Sequence, residues 1–175
     1  GHCRPTAKPH NLKTMTLSIL CLIPTETDGT WSRLSLECLG AAKKLASDAG
    51  AGLTVGVWGP DPSSGLPSDG MQRRLRVADP ACEQPRYASD VAAAQALCNE
   101  VNPAVILAPA SSRMQRIVAG LANRIGGDVD THITGLEWKD GKVFAHRWYY
   151  RQRMEAAFTR NSDRPWILTT ESGIA

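Results

Sequence analysis

Ser111 and Ser112, with Arg113 and Arg116 directly behind them, are the residues whose types and spacing come nearest to chemistry in this chain. They sit in the stretch VILAPASSRMQRIVAGLANRIGG (105–127), at the joint between an apolar run and an amphipathic pattern. Three chemistries are conceivable there: a serine nucleophile, a cradle for phosphate or another small anion, or a helix cap. A nucleophile at such a joint needs a Gly-x-Ser-x-Gly elbow and a base. Pro109-Ala110-Ser111-Ser112-Arg113 has no such glycines, and His132 and His146 lie far along the chain. A hydrolase using Ser112 therefore lacks both elbow and base. Two arginines in a first helical turn oppose the helix dipole, and an anion held by Ser111, Ser112, Arg113 and Arg116 would relieve that conflict. The simpler alternative is that one serine caps the helix while the arginines face water or a partner's acid.

Other sites can be weighed the same way. No GxxxxGK[ST] occurs, nor GxGxxG after a strand, and GPDPSSG (59–65) lacks the lysine and opens no helix. His132 and His146 have no carboxylate–histidine spacing that would mark a metal site. The cysteines, Cys3, Cys21, Cys38, Cys82 and Cys98, are odd in number and include no CxxC pair. Cys21, Cys38 and Cys98 fall in apolar periodic segments, so the pattern fits free thiols in a reducing compartment better than disulfides or zinc. A net charge of +3, without an aromatic-flanked basic stripe, gives no ground for nucleic-acid binding. No run approaches the roughly 20 apolar residues of a membrane span.

The elements that must position these residues follow from periodicity. Residues 15–24 read as a buried strand closed by proline, and 53–59 as a second. Between them Leu34, Cys38, Ala41, Ala42 and Leu45 recur at helical spacing, with Ser32 as N-cap and Gly50 as terminator. PDPSSGLPSDG must be an exposed loop. Then come a short strand at 74–79, a helix at 89–101, a strand at 104–109 and the helix after the serine joint. Beyond Gly126 the style changes: two β-rich arms flank Asp140-Gly141, a strong hairpin signal, and WILTT (166–170) closes as a final strand. Strand–helix repetition followed by a hairpin predicts an α/β fold. It is an open, mostly parallel sheet with helices on both faces and an antiparallel hairpin extension. Residues 15–175 read as a single domain, and the basic stretch 1–14 as a flexible arm or tag remnant. Trp138, Trp148, Tyr149 and Tyr150 in the hairpin suit either a packed sheet face or a partner surface.

Order and spacing of segments say more than single residues. LSLECLGAAKKLA (34–46), ILAPASSRMQRIVAGLANRIG (106–126), DTHITGLEWKDGKVFAHRWYY (130–150) and RPWILTT (164–170) occur in the order of four characteristic stretches. On them the chain resembles the N-terminal domain of the α subunit of electron transfer flavoprotein, from about Met15 to its end. The likeness departs at His132, where the family has Asp, at RMQR, at Thr170-Glu171 and in YYRQRMEAAF, as in a diverged or accessory member or in a chain whose partner surface has been rewritten.

The resemblance implies the adenine-nucleotide-binding type of α/β fold and a heterodimer with a β-type subunit. It also implies transfer of electrons from flavin dehydrogenases toward a quinone reductase, in the bacterial cytoplasm or the mitochondrial matrix. In that family FAD is held chiefly by a C-terminal domain of the α subunit, and Ala175 falls where that domain would begin. The expectation is thus a scaffold and partner surface without catalysis of its own, which binds no FAD alone although FAD belongs to the complete complex. The alternative is a stand-alone binder of an adenine nucleotide or small anion at Ser111–Arg116.

Overall fold

The structure is a computed structural model and describes residues 17–149 and 154–174. The arm at 1–14 and Tyr150 lie outside the described residues.

Strand β1 (Ser18–Pro24) is followed by α1 (Arg33–Ala49), β2 (Gly52–Trp58) and β3 (Arg73–Val77). After a one-turn 3-10 segment, Pro80–Cys82, come α2 (Tyr87–Val101), β4 (Val105–Pro109), α3 (Ser112–Ile125) and β5 (Asp128–Ile133). The remaining strands are β6 (Gly135–Lys139), β7 (Lys142–Tyr149), β8 (Met154–Phe158) and β9 (Trp166–Thr170). Six strands form one sheet in the order β3-β2-β1-β4-β9-β5, and every pairing in it is parallel. The α/β class, the parallel sheet and helices on both faces are as the sequence predicts.

A parallel sheet must be covered on both faces. The apolar stripe of α1 (Cys38, Leu39, Ala42, Leu45, Ala46) packs on Ile19, Cys21 and Ile23 of one face. Helices α2 and α3 cover the other, against Leu20, Leu22, Ile106 and Ile167. Local signals fix the helix ends: Ser32 accepts from Ser35 N at the start of α1, and Gly50 and Gly126 adopt left-handed backbone behind α1 and α3. Helix α2 starts two residues before its expected Ser89, at Tyr87.

The hairpin departs from expectation in its placement. Strands β6 and β7 do form an antiparallel hairpin, with positive φ at both Asp140 and Gly141 as a two-residue turn of this hand requires. They do not extend the main sheet; with β8 they make a separate three-stranded sheet, β6-β7-β8. That small sheet occupies the connection from β5 to β9, where a crossover helix would ordinarily lie. Its Val143 and Ala145 join the α1-side core, so it covers sheet surface that α1 alone leaves bare. The closing strand β9 is inserted between β4 and β5.

Cys21, Cys38, Cys82 and Cys98 are buried free thiols. Burial pushes Cys98 up to about 12. The hydrogen bond from Cys38, followed by burial, raises Cys21, whose Sγ lies 3.8 Å from Cys38 Sγ. These are packing residues.

Candidate functional site

The carboxyl ends of parallel strands are where ligands of open α/β sheets gather, and the topological switch lies between β1 and β4. The serine joint is at this place. Ser111 has extended backbone (φ −74°, ψ 157°) and its hydroxyl accepts from Met114 N at 3.2 Å, so it is the N-cap of α3. Ser112 is the first helical residue and is exposed, as is Arg116. Replacing Ser111 by alanine is expected to cost about 1 kcal/mol. Replacing Ser112 should leave stability within about 0.5 kcal/mol, and paired denaturant melts check both. Neither histidine supplies a base: His132 Nδ1 is held by Glu171 Oε1, and His146 Nε2 faces Glu137 Oε2 at 3.3 Å.

Arg113 has its counter-ion within the chain. Its Nε donates to Asp90 Oδ2 and its Nη2 to Asp90 Oδ1, both at 2.8 Å, a bidentate pair from α3 to α2. Its Nη1 donates to Thr25 O at 2.9 Å, just beyond β1. Asp90 Oδ1 also accepts from Trp58 Nε1 at 2.9 Å, at the end of β2. Side-chain exposure is 2% for Asp90 and 16% for Arg113. Thr25 Oγ1 in turn donates to Pro60 O at 2.7 Å. Gly59 fits only because it lacks a Cβ: one would stand 2.5 Å from Thr25 Oγ1, at a φ of +108°. The network thus ties the ends of β1 and β2 to α2 and α3, across the crevice where a ligand would enter. The anion that settles the Arg113–dipole conflict is the Asp90 carboxylate, which leaves Ser112 and Arg116 as the side chains of this joint that an external anion would meet. The signal for Asp90 was in the sequence: it lies on the same helical stripe as Val91, Ala94, Leu97 and Cys98, where a carboxylate needs a cationic partner.

The four hairpin aromatics are not brought together. Trp138 turns inward and packs against the α1-side core. Trp148, 45% exposed, stands on the opposite face with His146, across from Glu155 of β8. Tyr149 is half-buried under the Arg147 guanidinium, 4.8 Å from ring centroid to Cζ, and lies opposite Met154, 49% exposed. The free end of the β7–β8 ribbon therefore carries exposed apolar side chains on both faces. Beside it His132, in left-handed backbone (φ 60°) at an irregularity of β5, lines a cleft of about 670 Å³ with Trp148, Glu155 and Glu171.

A flavin dinucleotide needs cationic or backbone donors for its pyrophosphate beside a slot for its ring system. The residues described do not fit one. Ser32 and Ser111 each take one helix N-terminal amide, Arg113 is locked to Asp90, and a cleft of about 730 Å³ is lined by Asp79 and Glu83 with Arg86 as the one cation of its lining. Among the described residues no helix is long and apolar enough to cross a membrane.

Comparison with known proteins agrees with this architecture. No curated protein matches the chain. The family model of the electron transfer flavoprotein domain matches residues 19–175, from the first residues of β1 through both sheets. The match spans nearly the whole length, and the chain belongs to the electron transfer flavoprotein domain family.

Proposed function

We propose that this chain is an α-type electron transfer flavoprotein domain that serves as scaffold and docking surface for a β-type subunit, without enclosing FAD by itself. Family membership gives the role in electron transfer flavoproteins and a place in such a complex. The observation that carries the finer reading is the β7–β8 ribbon end. Trp148 and Met154 are about half exposed although the core of the small sheet, Val143 and Ala145, is fully packed without them. Large apolar side chains projecting from a finished core, beside an Arg–Tyr stack, are the residue types enriched at interfaces. The filled crevice supports the scaffold half of the proposal, since the Arg113 guanidinium already serves Asp90 and Thr25 O and the Met114 amide already donates to Ser111 Oγ.

Co-expression with an electron transfer flavoprotein β-type subunit tests the pairing. Co-elution in equal amounts and a raised melting temperature are the expected result; independent elution at micromolar concentration would remove the proposal. The alternative, a stand-alone nucleotide binder at Ser112 and Arg116, is separated by thermal shift with AMP, ATP and FAD. A site holding ligand at a hundredfold excess over Kd adds about 2.7 kcal/mol of stability. The expected result is no shift with any of the three.

A further inference from the structure

The exposed edge of the main sheet opposite the small sheet is built to receive a strand. Among the described residues β3 ends the sheet and pairs only with β2. Trp58 O accepts from Thr25 N, so Leu53, Val55 and Val57 of β2 present their backbone groups to β3, and with Thr54 opposite Arg73 it is Arg73, Leu75 and Val77 that answer them. The N–H and C=O groups of Arg74 and Arg76 then face outward, and among the described residues no backbone group answers them.

Alongside this edge runs a cleft of about 730 Å³, floored by Val77 and by Ala88, Ala92 and Ala96 of α2. The α2 side chains here are too short to reach over the edge. A strand added to β3 would lay alternate side chains into that cleft and the others beside Arg74.

Charge selects the occupant. Three of the five residues of β3 are arginines. Arg76 meets Asp61 at 2.6 Å, whereas Arg73 and Arg74 are exposed and meet no carboxylate among the described residues. A second copy of this chain would set arginine against arginine, which edge strands use to prevent self-pairing. Of the two acids at the far end, Asp79 Oδ1 accepts from Ala81 N at 2.9 Å, and Glu83 is exposed beyond β3, with Arg86 in the same lining.

We infer that the β3 edge binds an extended acidic segment of a partner protein, which adds as a seventh strand and places apolar side chains over the alanine face of α2. Backbone ladder bonds supply the hold, and the arginines and the cleft select the sequence. This site is remote from the ribbon end and does not depend on pairing through it.

The test uses the full 175-residue chain, isotopically labelled, titrated with a blocked peptide of about seven residues alternating glutamate and valine. The expected amide shifts fall on Arg73–Val77 and Ala88–Ala96. A lysine-for-glutamate peptide should bind about tenfold more weakly, and R74E should reverse that preference. The same acidic peptide N-methylated at alternate positions keeps its charge but loses the ladder, and its binding should vanish. Four outcomes overturn the inference: no shifts at millimolar peptide, shifts elsewhere, undiminished binding of the methylated peptide, or self-association of the chain through β3. Unchanged pairing of R74E with a β-type subunit keeps this result separate from the proposed function.

Discussion

Asp90→Ala is expected to destabilise the chain by about 3–5 kcal/mol, the range found when one member of a buried, hydrogen-bonded ion pair is removed. The deletion leaves the Arg113 guanidinium, 16% exposed, without its bidentate acceptor and the Trp58 indole N–H without its partner. For a domain of this size each kcal/mol lowers the melting temperature by roughly 2–4 °C, so the loss should be plain in a thermal melt. Arg113→Met alone should be comparably damaging, because Asp90, 2% exposed, would keep a charge with only Trp58 to answer it. The double variant D90L/R113M separates the network from mere sensitivity of the region: apolar replacement of a whole buried pair is often close to neutral. Recovery of most of the lost stability is expected. Two single variants as stable as the parent chain would show that the crevice is not held by this pair.

Trp148→Ala should act on affinity and leave the fold alone. Side chains of this kind at the centre of a docking surface commonly contribute 2 kcal/mol or more, so binding to a β-type subunit should weaken roughly 30-fold or beyond. Since Trp148 is 45% exposed, the melting temperature of the free chain should barely move. Trp138→Ala is the contrasting control: that ring packs on the α1-side core, and its loss should lower stability. Equal affinity of parent and Trp148→Ala would remove the ribbon end from the interface, which isothermal titration can establish directly.

Features written in a few neighbouring residues were legible in the sequence. Ser32 and Gly50 bound the first helix, Ser111 and Gly126 bound the third, and Asp140-Gly141 turns the hairpin, because capping and turn chemistry act within a few positions. The destination of the hairpin was not legible. Alternation shows that β7 has an inner face; it does not say whether that face meets the sheet edge or lies over the sheet. The demand to cover both faces of a six-stranded parallel sheet, with α1 alone on one side, decides that question. The same non-local demand hid β8, whose sequence Met-Glu-Ala-Ala-Phe favours helix by propensity and becomes a strand by pairing with β7. At the site, the serine cap was readable and the Arg113 partner was not singled out, although Asp90 on an apolar helical stripe already called for a cation.

The proposed role rests on the crevice in which Arg113 and Asp90 pair with each other. Equilibrium dialysis of the purified chain against FAD, read by absorbance at the flavin bands, tests this most directly. The account predicts a colourless protein that retains no flavin unless a partner completes the binding site. Stoichiometric retention of FAD by the chain alone, with Asp90 and Arg113 intact, would contradict it.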